Sequence, residues 1–114
     1  MYKKEKLNNI IQKELAKIFL KELDLSPDIV VTITRVEVSL NGFSAKVFVS
    51  VLPDEKEEFI AKVLNSNIYN FQQQLNKKLK IRPVPRIEFT KEKRTAEAAK
   101  IEEILKKIRD LEKK

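Results

Sequence analysis

The first apolar pattern along the chain has the period of a helix. Between residues 5 and 23, Leu7, Ile11, Leu15 and Ile18 recur three or four positions apart, with Ile10 and Phe19 beside them. Lys6, Lys13, Lys17 and Lys21 lie mainly on the other faces. Ser26-Pro27 ends this helix, because the residue before proline avoids the α region. The period then changes. Residues 29–39, Ile-Val-Val-Thr-Ile-Thr-Arg-Val-Glu-Val-Ser, are too rich in β-branched side chains to favour a helix and predict a strand. Its alternation slips: Val31 and Ile33 fall on one parity, Val36 and Val38 on the other. That predicts either a bulge near Arg35 or a strand covered on both faces. Asn41-Gly42 supplies a turn and holds the one glycine of the chain, where positive φ is the usual requirement. Residues 43–52 then alternate cleanly, with Ala45, Val47, Val49 and Val51 inward and Ser44, Lys46, Phe48 and Ser50 outward. The two strands should form a hairpin.

Pro53-Asp54-Glu55-Lys56-Glu57 reads as a helix start, with Asp54 as cap and Glu57 completing a capping box. The helical stripe Ile60, Leu64, Ile68, Phe71, Leu75 and Leu79 carries on to about Lys80. Asn65, Ser66, Asn67 and Asn70 lie within it and compete for backbone bonds, which predicts a kink or break. Arg82-Pro83-Val84-Pro85 cannot be helical. Residues 84–89 predict a short strand with Ile87 and Phe89 toward the core, and the prolines point to an edge or a strand entry. A last helix begins at Thr95, with Ile101, Ile104, Leu105, Ile108 and Leu111 as its stripe. The order is αββααβ plus a C-terminal helix, an α+β pattern without internal repeats. At 114 residues, one domain is expected, with residues 1–94 as its body and 95–114 as a helix within or appended to it.

Composition narrows the chemistry. The chain has no histidine and no cysteine, so it lacks the commonest general base, the usual zinc ligands and a thiol nucleophile. No G-x-S-x-G or Walker pattern surrounds its serines and threonines. Asp54, Glu55, Glu57 and Glu58 are better explained as acids offsetting a helix dipole than as a magnesium site. The expectation is a protein that is not an enzyme and needs no cofactor, metal or small-molecule substrate. No apolar run approaches the ~20 residues that span a bilayer, and no apolar segment follows the basic start Met1-Tyr2-Lys3-Lys4-Glu5-Lys6 as a signal peptide would require. No membrane partner is expected, and the lack of cysteine fits a reducing cytoplasm.

The formal net charge is +7, and its distribution is uneven. Lys77, Lys78, Lys80, Arg82, Arg86, Lys91, Lys93 and Arg94 are opposed only by Glu88 and Glu92. Six lysines precede residue 22 against Glu5 and Glu14, whereas Glu22, Asp24 and Asp28 follow with no cation up to Val30. A localised basic patch of this kind binds phosphate by releasing counterions. The competing explanation is lysines that merely solvate a helix, and for the first helix the two weigh equally. Among the aromatic residues, Phe19, Phe71 and Phe89 fall on core stripes. Phe43 sits at the turn, Tyr69 lies off the stripe as a candidate for base stacking, and Phe48, on the outward sheet face, could stack a base but is expected rather to pack under the C-terminal helix.

Several of these segments together resemble a known family. Val31-Thr32-Ile33-Thr34-Arg35-Val36-Glu37-Val38-Ser39 followed by Ala45-Lys46-Val47-Phe48-Val49-Ser50-Val51-Leu52 resembles the paired-strand signature of the ribosome-binding factor A family. Leu79-Lys80-Ile81-Arg82-Pro83-Val84-Pro85-Arg86-Ile87-Glu88-Phe89 is similar to that family's final strand entry, and the stretch from Ala98 to Leu105 to its closing motif. The resemblance implies a type II KH-like fold, a three-stranded sheet with helices on one face. It also implies a cytoplasmic, non-enzymatic factor that binds the small (30S) ribosomal subunit during the cold-sensitive late maturation of its 16S rRNA, as a monomer. The family's Ala-x-Gly kink between two helices aligns with Asn67-Ile68-Tyr69, so Ser66, Asn67, Ile68 and Tyr69 are the candidate interhelical kink, without the alanine or glycine. The candidate RNA-binding residues are Arg35, Lys46, Lys77, Lys78, Lys80, Arg82, Arg86, Lys91, Lys93 and Arg94. The alternative is a protein-interaction domain whose basic face meets an acidic protein partner.

Overall fold

A computed structural model of the chain describes residues 4–92 and 104–111. The N-terminal stripe forms α1 (Lys4–Glu22), with Ile11, Leu15, Ile18 and Phe19 buried. The chain then enters β1 (Val30–Val38) and returns through a turn at Gly42, whose φ is 77°, into β2 (Ser44–Leu52). The pairing of these strands is antiparallel, from Val30 opposite Leu52 to Val38 opposite Ala45. After a 3-10 turn (Asp54–Lys56) come α2 (Glu57–Ser66), α3 (Ile68–Lys78) and β3 (Arg86–Lys91). β3 runs parallel to β2, from Arg86 beside Ser44 to Lys91 beside Val49, so the sheet order is β1-β2-β3. Residues 104–111 form a helix, α4, on which every residue is exposed.

The slip in β1 is a bulge. Ile33 pairs with Val49 and Arg35 with Phe48, so Thr34 is the extra residue. The bulge reverses the parity, and Ile33, Val36 and Val38 all become buried on the same face. A strand covered on both faces is not needed. That face joins the inward residues of β2, with Ile60 and Leu64 of α2 and Phe71 and Leu75 of α3, in one core. Phe19, Phe71 and Phe89 meet at its centre, with ring centroids 5.2, 5.9 and 6.0 Å apart. Tilted and edge-on contacts of this kind add to the burial of the rings.

Both β1 and β3 are edge strands, and helix side chains serve each of them. Gln12 donates to the Ile33 carbonyl at 3.0 Å, and the Asn8 side-chain oxygen accepts from the Val38 N–H at 2.9 Å. These residues are one turn apart on α1, so one helix face satisfies two groups on the free edge of β1. On the other side, the Gln72 side chain donates to the Pro85 carbonyl at 3.1 Å and accepts from the Ile87 N–H at 2.9 Å. It fixes α3 against the entry of β3.

Several sequence expectations shift. Asp54 does not cap α2: it opens the 3-10 turn behind Pro53, and neither that turn nor α2 has a side-chain cap bond. Proline at position 53 already fixes the entry angle that a cap would otherwise set. The last strand begins at Arg86 rather than at residue 84, because Pro85 has no N–H to give to a ladder. Phe48 is covered by the guanidinium of Arg35, 3.8 Å above its ring centroid, while the described part of the C-terminal helix, residues 104–111, is exposed throughout. The start of the last helix at Thr95, its residue Ile101 and the candidate residues Lys93 and Arg94 lie outside the described residues, as do Met1, Tyr2 and Lys3.

The aromatic centre predicts the main stability lesion. Phe71→Ala should cost about 3–5 kcal/mol, read as a lower urea midpoint at unchanged m value. Gly42→Ala meets no atom within 4 Å and should lose only the ~1–2 kcal/mol of left-handed backbone strain, with Gly42→Asn recovering part of it.

Candidate nucleic-acid interface

The topology sorts charge to the two ends of the domain. At one end lie the β1–β2 turn, the C-terminus of α3 and the start of β3, since Arg86 N–H donates to the Phe43 carbonyl at 2.9 Å. The Asn8–Val38 bond brings the first turn of α1 to the same end. Lys4, Lys6, Lys77, Lys78, Lys80, Arg82 and Arg86 are thereby gathered, all exposed, with Glu5 as the nearby acid in sequence. At the other end lie the C-terminus of α1, the start of β1 and the end of β2, where Val30 pairs with Leu52. Asp24, Asp28, Asp54, Glu55, Glu57 and Glu58 fall there, whereas the Glu22 carboxylate reaches α3, accepting from Asn70 at 3.3 Å and from Gln74 at 2.9 Å, one turn before Lys77 and Lys78. The sequence held the charges in separate blocks. Only the fold shows that the lysine-bearing start of α1 and the basic entry of β3 share one end of the hairpin.

The candidate residues do not form a single group. Lys77 and Lys78 close α3 and Lys80 follows it, and none of the three makes an ion pair among the described residues. Arg82 turns its guanidinium onto the carbonyls of Leu79 (3.1 Å) and Ile81 (2.7 Å), closing the carbonyl end of α3 while remaining exposed. Lys91 is at the opposite end of β3, 2.7 Å from the Glu57 carboxylate. Arg35 and Lys46 are on the open face of the sheet, among carboxylates. Lys46 has Glu37 as its partner position on β1 and Glu88 on β3. Arg35 bonds to Glu37, reaches Glu92 at 3.2 Å and stacks on Phe48, which is left 9% exposed.

Glu92 was not singled out in the sequence, yet it ties the open face together. Its carboxylate accepts from the Thr34 hydroxyl and from Arg35. Its backbone N–H donates to the Val49 carbonyl at 3.1 Å. The Thr34 bond, helped by the adjacent Arg35 and opposed by partial desolvation, holds the Glu92 carboxyl below the usual glutamate range. A bulge within reach of a later acid was the only signal for it. Asn8 and Gln12 were also missed, although their spacing of four on α1 placed them on one face.

The long helix breaks at Asn67, with φ −105° and ψ 5°. No glycine or left-handed residue makes this bend. Instead Ser66 donates to the Lys62 carbonyl and the Asn67 amide to the Val63 carbonyl, each at 2.7 Å, serving carbonyls that the break would leave open. Ile68 begins α3 and is partly buried, and Tyr69, just beyond, is 75% exposed. Tyr69, Gln73 and Lys77 recur every fourth residue along the outer side of α3, all exposed. This row joins the kink to the basic end. Among the described residues, no acid, histidine or cysteine cluster could hold a metal ion, and no helix is long and apolar enough to cross a membrane.

The αββααβ order, the antiparallel hairpin extended by a parallel third strand, and helices packed on one face define a type II KH-like domain. A family model described as ribosome-binding factor A matches residues 3–105. The chain belongs to the ribosome-binding factor A family. It is 34% identical over 106 residues to ribosome-binding factor A of Pseudomonas fluorescens, covering 90% of this chain and 80% of that one. The solution NMR structure of a candidate ribosome binding factor A from Thermotoga maritima is 33% identical, with a TM-score of 0.66 over 83% of this chain and 92% of that one. A Thermus thermophilus ribosome binding factor A model, fitted into the cryo-EM map of its complex with the 30S subunit, shares the fold at 22% identity and TM-score 0.62. That likeness covers 77% of this chain and 93% of the other.

The Glu92 clasp makes a pH prediction. A carboxyl whose pKa is lowered by folding contributes stability that is present above the ordinary glutamate range and is lost as pH falls through its folded value. Thr34→Val should therefore raise the Glu92 midpoint toward the ordinary range and weaken the acid-side loss of stability. Side-chain carboxyl NMR titration reads the first change and urea midpoints against pH the second. An unmoved midpoint contradicts the clasp.

Proposed function

We propose that this protein is a ribosome assembly factor: it binds the small (30S) ribosomal subunit in the cytoplasm, as a monomer, and assists late maturation of its 16S rRNA without making or breaking a bond. Family membership supports this, as does the 30S complex of the related Thermus protein. The observation that carries it is the convergence of the start of α1, the end of α3 and the β3 entry on one end rich in exposed lysine and arginine. In this reading residues 1–94 are the binding body, and the segment from residue 95 is part of that domain or appended to it.

Lys77, Lys78, Lys80 and Arg86 are the phosphate contacts in this reading, with Arg82 holding the loop between them and Lys93 and Arg94 extending the set in sequence. The row Tyr69, Gln73, Lys77 leads RNA along α3, with Tyr69 offering an exposed ring to an unpaired base. An α3 of 11 residues is ~16 Å long, which spans a few nucleotides. Ser66, Asn67 and Ile68 set the angle of that row without approaching the backbone as a glycine would. Arg35, Lys46 and Lys91 are held among carboxylates and contribute less.

Tagged protein sedimented with cell extract should travel with free small subunits, and the Lys77→Glu/Lys78→Glu/Lys80→Glu variant should not. In titrations against small-subunit RNA, replacing the same three lysines by Gln should reduce the slope of log K against log salt by about 2–3. Lys46→Gln should change it little. Negligible RNA binding by the parent protein even at low salt would favour the acidic-protein partner instead.

A further inference from the structure

The end opposite the basic patch carries a groove that no function above uses. It runs between α1 and β1, with a volume of about 740 Å³, and Phe19, Leu20, Leu23, Leu25, Val30 and Val31 are among its lining residues. Leu20 is 87% exposed and Val30 51% exposed, so large apolar surface remains open to water. The groove also borders the free edge of β1. Asn8 and Gln12 serve Val38 and Ile33, but neither reaches the stretch that starts at Val30. An uncovered edge beside apolar side chains is a site for pairing with other chains. Exposed acids Asp24 and Asp28 stand on the segment that forms the rim.

α4 has the complementary features. Ile104, Leu105, Ile108 and Leu111 form its apolar stripe, and all four are 45–69% exposed. At about 100° per residue, Lys107 and Arg109 flank this stripe on its two sides, while Lys106 and Asp110 fall on the far side. An apolar face between two cations thus suits the apolar part of the groove beside Asp24 and Asp28, with the one lining cation, Lys13, lying further along α1 beside Gln12.

The chain also leaves the sheet near this groove. β3 ends at Lys91, and Glu92 is bonded to Thr34 and Arg35 of β1, the strand that forms one wall. The eleven residues between Glu92 and Ile104 reach up to roughly 40 Å when extended, against ~10 Å for crossing the sheet.

We propose that α4 docks in the α1–β1 groove of its own chain, burying its stripe on Leu20 and Val30 and shielding the open edge of β1. The smaller groove of about 280 Å³ between α2 and β3 is a poorer site. Of its apolar lining, Val49, Val51, Ile60 and Leu64 are already buried, which leaves Ala61 and the partly buried Phe89 and makes the gain on docking there smaller.

The chain has no cysteine, which makes a disulfide test clean. In the full chain, Leu20→Cys/Ile108→Cys is compared with Ala61→Cys/Ile108→Cys, which samples the smaller groove, in glutathione redox buffers. All three positions are exposed, so folding should survive. The first pair should form an intramolecular disulfide with an effective concentration roughly tenfold above the second. Asp24→Lys/Asp28→Lys should remove most of that advantage. Equal effective concentrations, a preference for position 61, or crosslinks only between chains that rise with protein concentration would each overturn the proposal.

Discussion

The single extra residue in β1 is the constraint on which the rest depends. Without the bulge at Thr34, either Ile33 or Val36 would face away from the helices, and the core beneath α1 would lose part of its floor. With it, the apolar residues on both sides share the buried face. The same bulge sets Thr34 and Arg35 side by side on the open face, where they meet Glu92, and where Arg35 covers Phe48. One backbone irregularity therefore decides what is buried on one side of the sheet and what is charged on the other.

The open face that results is nearly balanced in charge. Arg35 and Lys46 stand among Glu37, Glu88 and Glu92, so the face presents little net field to a phosphate chain. The excess positive charge is displaced to the end where α1 begins and α3 stops. Lysines in the last turn of α3 also sit at the negative end of that helix's dipole, an attractive arrangement that stabilises the helix end. The division between a quiet sheet face and a charged end points RNA toward α3 and its following loop rather than across the strands.

Much of the fold was legible in the sequence because its elements differ in period. The stripe of α1, the alternation of β2 and the asparagine-rich interruption of the long helix each carry a strong local signal, and the slip in β1 left a bulge or a strand covered on both faces, between which the register decides for the bulge. What escaped was long-range. Nothing local tells that Glu92 returns to Thr34, that Asn8 and Gln12 each serve one group on the β1 edge, or that Arg82 folds back onto its own helix end. Asp54 misled because a capping pattern and a 3-10 turn after proline share the same residues. Of the candidate site, the residue types and the α3 cluster were visible. Which of those cations are neutralised by partners was not, because the partners come from other strands.

Amide chemical-shift mapping of the full-length protein with small-subunit rRNA fragments tests the central claim most directly. The account predicts perturbations concentrated on residues 69–86 along the outer side of α3 and its loop, with the first turn of α1 joining them. Perturbations confined to the open sheet face around Arg35, Lys46 and Phe48, with α3 silent, would contradict it.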